Sequence, residues 1–448
     1  MRVNDAVRVS EPAGGGSTAL LTDRYELTML TAARAHGTAG RRAVFEVFAR
    51  RLPDGRRYGV VAGTGRLLDA VEAFRFGPEE IAALLADGVV DPPTAAWLAD
   101  FRFRGDIHGY GEGECYLPGS PVLVVDATFA EAVVLETLVL SILNHDSAVA
   151  SAASRMVGAA EGRPCIEMGS RRTHEQAAVA AARAAYVAGF TSTSNLEAGR
   201  AYRIPTAGTS AHSFILLHDS ERDAFAAQVA ALGKETTLLV DTFDVTQAVR
   251  TAVEVAGPGL GAVRLDSGDL PVQARAVRRL LDELGATSTR IVVSGDLDEH
   301  AIAALAAAPV DVYGVGTALV TGSGAPTAGF VYKLVARAAS AEPTARMHPA
   351  EKRSVGKHTV GGQKWARRRY DAQGMADAEL VGVGPEPADP RSRSLLVELV
   401  RGGEAVGQEP LADAVARHAR SVAELPVTAT RLSHGEPVIP TLMLGGPA

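Results

Sequence analysis

Cysteine is nearly absent from this chain of 448 residues: Cys115 and Cys165 are its two, far apart and in no CxxC pair. That excludes a disulfide framework and a zinc knuckle, and a reducing, cytoplasmic compartment is the expectation. No apolar stretch is long enough to cross a bilayer. The most apolar run, 132–143, is interrupted by Glu136 and reads as a buried helix. Residues 1–17 are polar and glycine-rich, lack the apolar core of a signal peptide and are expected to be disordered. Lysine is scarce and the net charge is −7, so a general nucleic-acid or anionic-membrane surface is not expected. No GxGxxG follows the first strand of the repeat described next, which argues against a dinucleotide-binding sheet.

What is present is enough apolar residue for two or more cores. From residue 20 a helix starts at Thr22 or Asp23. Alternating strands are expected at 43–51, 106–110 and 122–126, with a helix at 63–73, an α+β mixture. From about residue 164 the character changes to strand–helix units of roughly 25–30 residues. Strands are expected at 165–168, 190–193, 237–241, 262–266, 290–294 and 310–315. Helices are expected at 173–189, 213–232, 245–256 and 269–285, with a further one capped by Asp296. Six such units favour a closed or nearly closed α/β barrel. Residues 340–448 lose the repeat and are expected to pack back on the N-terminal segment. The domains expected are therefore 18–130 with 340–448, and a barrel over 131–339.

The stretch Ile204-Pro-Thr-Ala-Gly-Thr-Ser-Ala-His-Ser213 carries almost no side-chain bulk around Gly208, Thr209 and Ser210, and one histidine, His212. By itself it reads equally as a tight turn with a capping serine. Its neighbours at the other carboxyl ends of the proposed strands alter that balance. They are Ser170, Arg171 and Arg172; Thr193, Ser194 and Asn195; Asp241; Arg264, Asp266 and Ser267; Ser294, Gly295 and Asp296; and Gly314, Gly316 and Thr317. A barrel builds its active site at that face and often holds a phosphate after its last two strands. Ser294-Gly-Asp and Gly314-Val-Gly-Thr317 suit an anion, although a lone glycine turn is more often only a turn. Arg171, Arg172 and Arg264 offer forked donors for further anionic groups, and Arg264, inside an apolar strand, requires a partner or ligand. The substrate suggested is poly-anionic. Asp241, Asp266, Asp269 and Asp296 are candidates for a ribose diol or for magnesium bridging phosphates. One histidine among scattered aspartates makes a poor zinc site, so His212 is better cast as nucleophile or general base.

Taken in order, Thr22-Asp-Arg-Tyr-Glu-Leu-Thr-Met29, Gly169-Ser-Arg-Arg172, Thr191-Ser-Thr-Ser-Asn195, Gly208-Thr-Ser-Ala-His-Ser213, Arg264-Leu-Asp-Ser-Gly-Asp269 and Gly314-Val-Gly-Thr317 resemble the nicotinate phosphoribosyltransferases. The resemblance spans about 20–340, and the basic stretch 352–370 looks like that family's C-terminal portion. It implies a type II phosphoribosyltransferase fold, an irregular α/β barrel joined to an α+β domain from both chain ends. It implies nicotinate and phosphoribosyl pyrophosphate as substrates, ATP as co-substrate, Mg2+ carried by substrate with Asp266 as a possible ligand, and a homodimer with the site near the subunit interface. It implies that His212 is transiently phosphorylated and that Asp266 and Arg264 join it in catalysis. Tyr25 would stack on the pyridine ring, with Thr209, Arg264 and Arg171 meeting nicotinate. Arg171, Ser294, Gly295, Gly314, Gly316 and Thr317 would hold the phosphoribosyl group. Arg24 and Glu26 depart from the family's usual forms without evident consequence. The lack of an aspartate near Ser194 and Asn195 favours the acid over nicotinamide. The rivals are a nicotinamide phosphoribosyltransferase, a metal-dependent barrel lyase or hydrolase using His212 and Asp266, and a non-catalytic nucleotide sensor.

Overall fold

A computed structural model describes residues 16–354, 357–358 and 360–444. The expected disorder at 1–17 falls almost wholly outside these, as do parts of the basic stretch 352–364. The chain divides into two compact units, 1–151 with 327–448, and 152–326. Both exchanges lie inward of the expected 130/131 and 339/340. Helix Glu136–Ala159 runs unbroken past the first, and strand Phe330–Ala338 is held in the first unit by antiparallel pairing with Arg42–Ala49.

The first unit is built on a seven-stranded sheet. Its order is Met347–Pro349, Phe330–Ala338, Arg42–Ala49, Leu123–Thr128, Asp106–Tyr110, Leu396–Arg401 and Glu404–Ala405. Strands from both chain ends are thus neighbours, as the loss of the repeat after 340 led us to expect. A four-stranded sheet holds Ser392–Ser394, Lys364–Tyr370, Ala376–Val383 and Thr441–Leu444. Alternation along Lys364–Tyr370 turns Arg368 inward, so what reads as a basic run contains a fully buried guanidinium. It is neutralised by ion pairs to Glu114 at 3.0 Å and to Glu379. Helix Arg24–Ala35 follows Asp23. Glu26, whose identity looked inconsequential, is fully buried and accepts from Thr22 Oγ1 and from the backbone N–H of Thr137 at 3.0 Å. It anchors this helix to the first turn of Glu136–Ala159.

The second unit is the strand–helix repeat. Six parallel strands lie in the order Ser192–Thr193, Cys165–Glu167, Val312–Val315, Arg290–Val293, Ala262–Leu265 and Thr237–Leu239. A parallel bridge from Thr193 to Thr206 adds a seventh, minimal position at one edge. The ladder does not close between that edge and Thr237–Leu239, so the wall is an irregular half-barrel. Period two sorts its residues. Ala262, Val292, Val312 and Ile166 pack together on one face. Val263, Leu265, Ile291, Val293, Tyr313 and Val315 are buried on the other.

The expected helix 213–232 is two helices, His212–Leu216 and Glu221–Leu232. Ser220 stops continuity by capping the second, accepting from the Asp223 N–H at 3.2 Å. His212 therefore opens a five-residue helix, too short for a useful macrodipole. The cap of helix Glu299–Ala304 is Asp298, not Asp296. No helix among the described residues is long and apolar enough to cross a membrane.

Candidate active site

The packed face that carries Ala262, Val292, Val312 and Ile166 continues, two residues further along each strand, into Arg264, Ser294, Gly314 and Met168. That step places an arginine at the carboxyl edge of the wall. Each nitrogen of its fork has a protein partner. Nε donates to Ser294 Oγ, Nη1 to Thr209 Oγ1 and Nη2 to Asp266 Oδ1, each at 2.7 Å, and the side chain is 11% exposed. Ser294 Oγ also donates to Asp266 Oδ1 at 2.6 Å. Burial pushes the Asp266 carboxyl up, but the bonds from Ser294 and Arg264 outweigh it and hold the group below the ordinary carboxylate range. Asp266 is thus a fixed anion at neutral pH.

Thr209 belongs to the segment that leaves the wall at Thr206, on the edge away from Ala262–Leu265. Its bond to Arg264 therefore draws the segment across the strand tips. His212 completes the crossing: Nδ1 lies 3.1 Å from Thr242 Oγ1, just beyond the opposite edge strand, and Nε2 lies 3.9 Å from Asp266 Oδ2. The half-barrel is closed at its top by side chains instead of a ladder. The imidazole side chain remains 42% exposed. Asp241 holds the far side of the cluster, accepting from the Asp266 N–H at 2.9 Å and from Ser267 Oγ at 2.8 Å.

Among the remaining expected residues, Gly295 has φ +117°, and a Cβ there would sit 2.7 Å from the Asp266 carbonyl oxygen. Only glycine lets the 294–296 turn approach so closely. Gly314 lies beside Ser294 and Met168, and Gly316 beside the Met168 carbonyl. Thr317 and Arg171 are exposed at neighbouring strand ends. Tyr25 belongs to the other unit, on the first turn of Arg24–Ala35, and is 44% exposed. Burial together with Glu136 pushes its phenol up. Asp269 caps helix Leu270–Glu283 through the Val272 N–H, a structural task.

Two residues had no signal in the motifs. Thr242, which engages the histidine, is a lone threonine after a strand. Glu167 is fully buried behind its strand end, accepting from the Gly169 N–H and from Thr193 Oγ1, and burial pushes its carboxyl up. The parallel register of Cys165–Glu167 with Ser192–Thr193 makes Glu167 and Thr193 neighbours.

Comparison with known proteins agrees with this geometry. The nicotinate phosphoribosyltransferase (NAPRTase) N-terminal domain matches residues 20–144, and the quinolinate phosphoribosyl transferase C-terminal domain matches 149–323. The crystal structure of human nicotinic acid phosphoribosyltransferase superposes with a TM-score of 0.81 at 26% identity, covering 94% of this chain and 97% of that one. A nicotinate-nucleotide pyrophosphorylase from Pyrococcus furiosus shares the fold, with a TM-score of 0.75, 22% identity and 94% and 99% coverage. An irregular parallel half-barrel with polar strand tips, together with an α+β unit made from both chain ends, is the architecture of the type II phosphoribosyltransferases. In sequence the chain is 58% identical to nicotinate phosphoribosyltransferase pncB1 of Mycobacterium tuberculosis over 445 residues, 97% of each chain. It belongs to the nicotinate phosphoribosyltransferase family.

Proposed function

We propose that this chain forms nicotinate mononucleotide and pyrophosphate from nicotinate and phosphoribosyl pyrophosphate, with ATP hydrolysed through a phosphohistidine at His212. The reading serves salvage of nicotinate into NAD. The observation that carries it is the closed array of Thr209, Arg264, Ser294 and Asp266 with the His212 imidazole reaching over it. The pyridine nitrogen attacks the anomeric carbon as the carbon–oxygen bond to pyrophosphate breaks, the leaving group taking the electron pair. Positive character grows on the ribose, and the ionised Asp266 is placed to stabilise it. Arg264, oriented by three partners, presents guanidinium edges to the nicotinate carboxylate or a nearby phosphate. His212 Nδ1 shares a hydrogen bond with Thr242 Oγ1 and Nε2 faces Asp266; in the tautomer whose Nδ1–H donates to Thr242, Nε2 is the nitrogen that accepts the phosphoryl group.

Gly295, Gly314, Gly316 and Thr317 are assigned to the phosphate of the ribose, Arg171 to a further anionic group and Tyr25 to stacking on the pyridine. Magnesium would enter on the pyrophosphate, with Asp266 as the carboxylate at hand. Bound there it neutralises charge on the leaving group. We assign a homodimer, with the exposed Tyr25 near the subunit interface, and a cytoplasmic location, which suits the buried free thiols Cys115 and Cys165. Labelled nicotinate and nicotinamide, each with phosphoribosyl pyrophosphate and with or without ATP, test the assignment. Nicotinate-dependent pyrophosphate release, strengthened by ATP, is expected. Equal turnover of nicotinamide, or no pyrophosphate release at all, overturns it.

A further inference from the structure

We infer that Glu167 is a positioning residue of the substrate site: from behind the barrel wall it locks the loop carrying Arg171 to the loop carrying Asn195. The side chain follows the parity of Cys165, Tyr313 and Val315, opposite to that of Ile166, Arg264 and Ser294. It is fully buried and stands on the face away from the Arg264 array. One carboxylate oxygen accepts from the Gly169 N–H, which opens the Gly169-Ser-Arg-Arg172 loop. The other accepts from Thr193 Oγ1, and Thr193 is itself fully buried. Thr193 Oγ1 in turn accepts from the Asn195 N–H at 2.9 Å, and Asn195 Nδ2 donates to Ser170 Oγ at 3.0 Å. The bonds close a ring from Glu167 through Gly169 and Ser170 to Asn195, Thr193 and back.

That ring joins two strand ends that share only a short ladder. Backbone pairing there stops at Glu167 with Thr193, and the Ser194 N–H to Glu167 carbonyl bond at 2.8 Å is its last rung. Beyond it, the Arg172 N–H to Gly169 carbonyl bond at 2.8 Å closes the 169–172 turn on itself, and side-chain bonds tie that turn to Asn195. Gly169 is closely packed, since a Cβ there would fall 2.2 Å from Val320 Cγ1. A buried carboxylate with no cation bonded to it is costly, and only its hydrogen bonds offset that cost. Its task is therefore the geometry of these loops, exerted through Arg171.

The inference rests on the phosphoribosyltransferase reading, and its test is separable from it. Steady-state kinetics are measured for the parent enzyme, Glu167→Gln, Thr193→Val, Arg171→Ala and the Glu167→Gln/Arg171→Ala double variant, with thermal unfolding alongside. The expected result is a rise in KM for phosphoribosyl pyrophosphate of about tenfold in Glu167→Gln, the loss of one buried hydrogen bond, with kcat within about twofold. Thr193→Val, which keeps volume and removes both the bond to Glu167 and the one from the Asn195 N–H, should raise KM at least as far. In the Arg171→Ala background Glu167→Gln should change KM no further. Fully additive effects overturn the inference. So does a fall in kcat and unfolding temperature with KM unmoved. A parent enzyme that makes no nicotinate mononucleotide would instead defeat the underlying reading.

Discussion

Replacing Arg264 by lysine keeps the charge and removes the fork. The guanidinium spreads three nitrogens over Ser294 Oγ, Thr209 Oγ1 and Asp266 Oδ1, each at 2.7 Å. A lysine ammonium is one point on a flexible stem and cannot meet acceptors set around three separate nitrogens. Bonds to a charged donor contribute roughly 1.5–3 kcal/mol each, so losing one or two costs about 3 kcal/mol. With the arginine only 11% exposed, water does little to make this up. If the array is needed in the transition state, kcat/KM for nicotinate falls roughly a hundredfold. The assay is pyrophosphate release at saturating phosphoribosyl pyrophosphate, with thermal unfolding as a control for folding. Arg264→Lys turning over within about threefold of the parent would show that the fork has no part in the chemistry.

Three further outcomes are expected. His212→Ala should abolish nicotinate-stimulated ATP hydrolysis while costing less than about 1 kcal/mol of stability, because the ring is half exposed and makes one hydrogen bond; undiminished ATP hydrolysis would refute the phosphohistidine. Gly295→Ala forces a side chain into a left-handed backbone against the Asp266 carbonyl, and should cost about 1–3 kcal/mol and raise KM for phosphoribosyl pyrophosphate; unfolding temperature and KM both unchanged would show the turn is slack. Burial lowers His418 to about 4 from its ordinary 6.5, so the folded protein holds it neutral. Its contribution to stability is full above pH 6.5 and is lost as pH falls toward 4, by on the order of 3 kcal/mol. His418→Leu should therefore flatten the acid limb of the unfolding temperature against pH, and an identical limb in the variant would contradict the burial argument.

Much of the site was legible because strand ends are local features. Arg264 in an apolar strand, glycines after Val293 and Val315, and a small-residue run before His212 are each visible within a window of a few residues. Their roles as motifs needed no long-range knowledge. The helix expected at 213–232 misled because its apolar spacing continues through Leu216 and Leu217, while the capping serine at Ser220 signals a stop only once its bond to Asp223 is seen. Asp296 was the expected cap of the next helix, and in the fold Asp298 takes that place. Glu26 looked like a neutral variation on a helix surface. Its bonds to Thr137, more than a hundred positions away, make it a buried anchor.

Local chemistry and period-two or helical spacing belonged to the sequence: which residues end each strand, that the units repeat, and that an arginine had been placed where apolar residues surround it. What the tertiary structure alone decided is the pairing. Arg264 meets Thr209 across 55 positions and His212 meets Thr242 across 30. Glu167 stands behind the wall while Arg264 stands on its other face. Those meetings depend on strand order and register in the half-barrel, and a parallel sheet sets them through backbone hydrogen bonds that every residue type but proline can make.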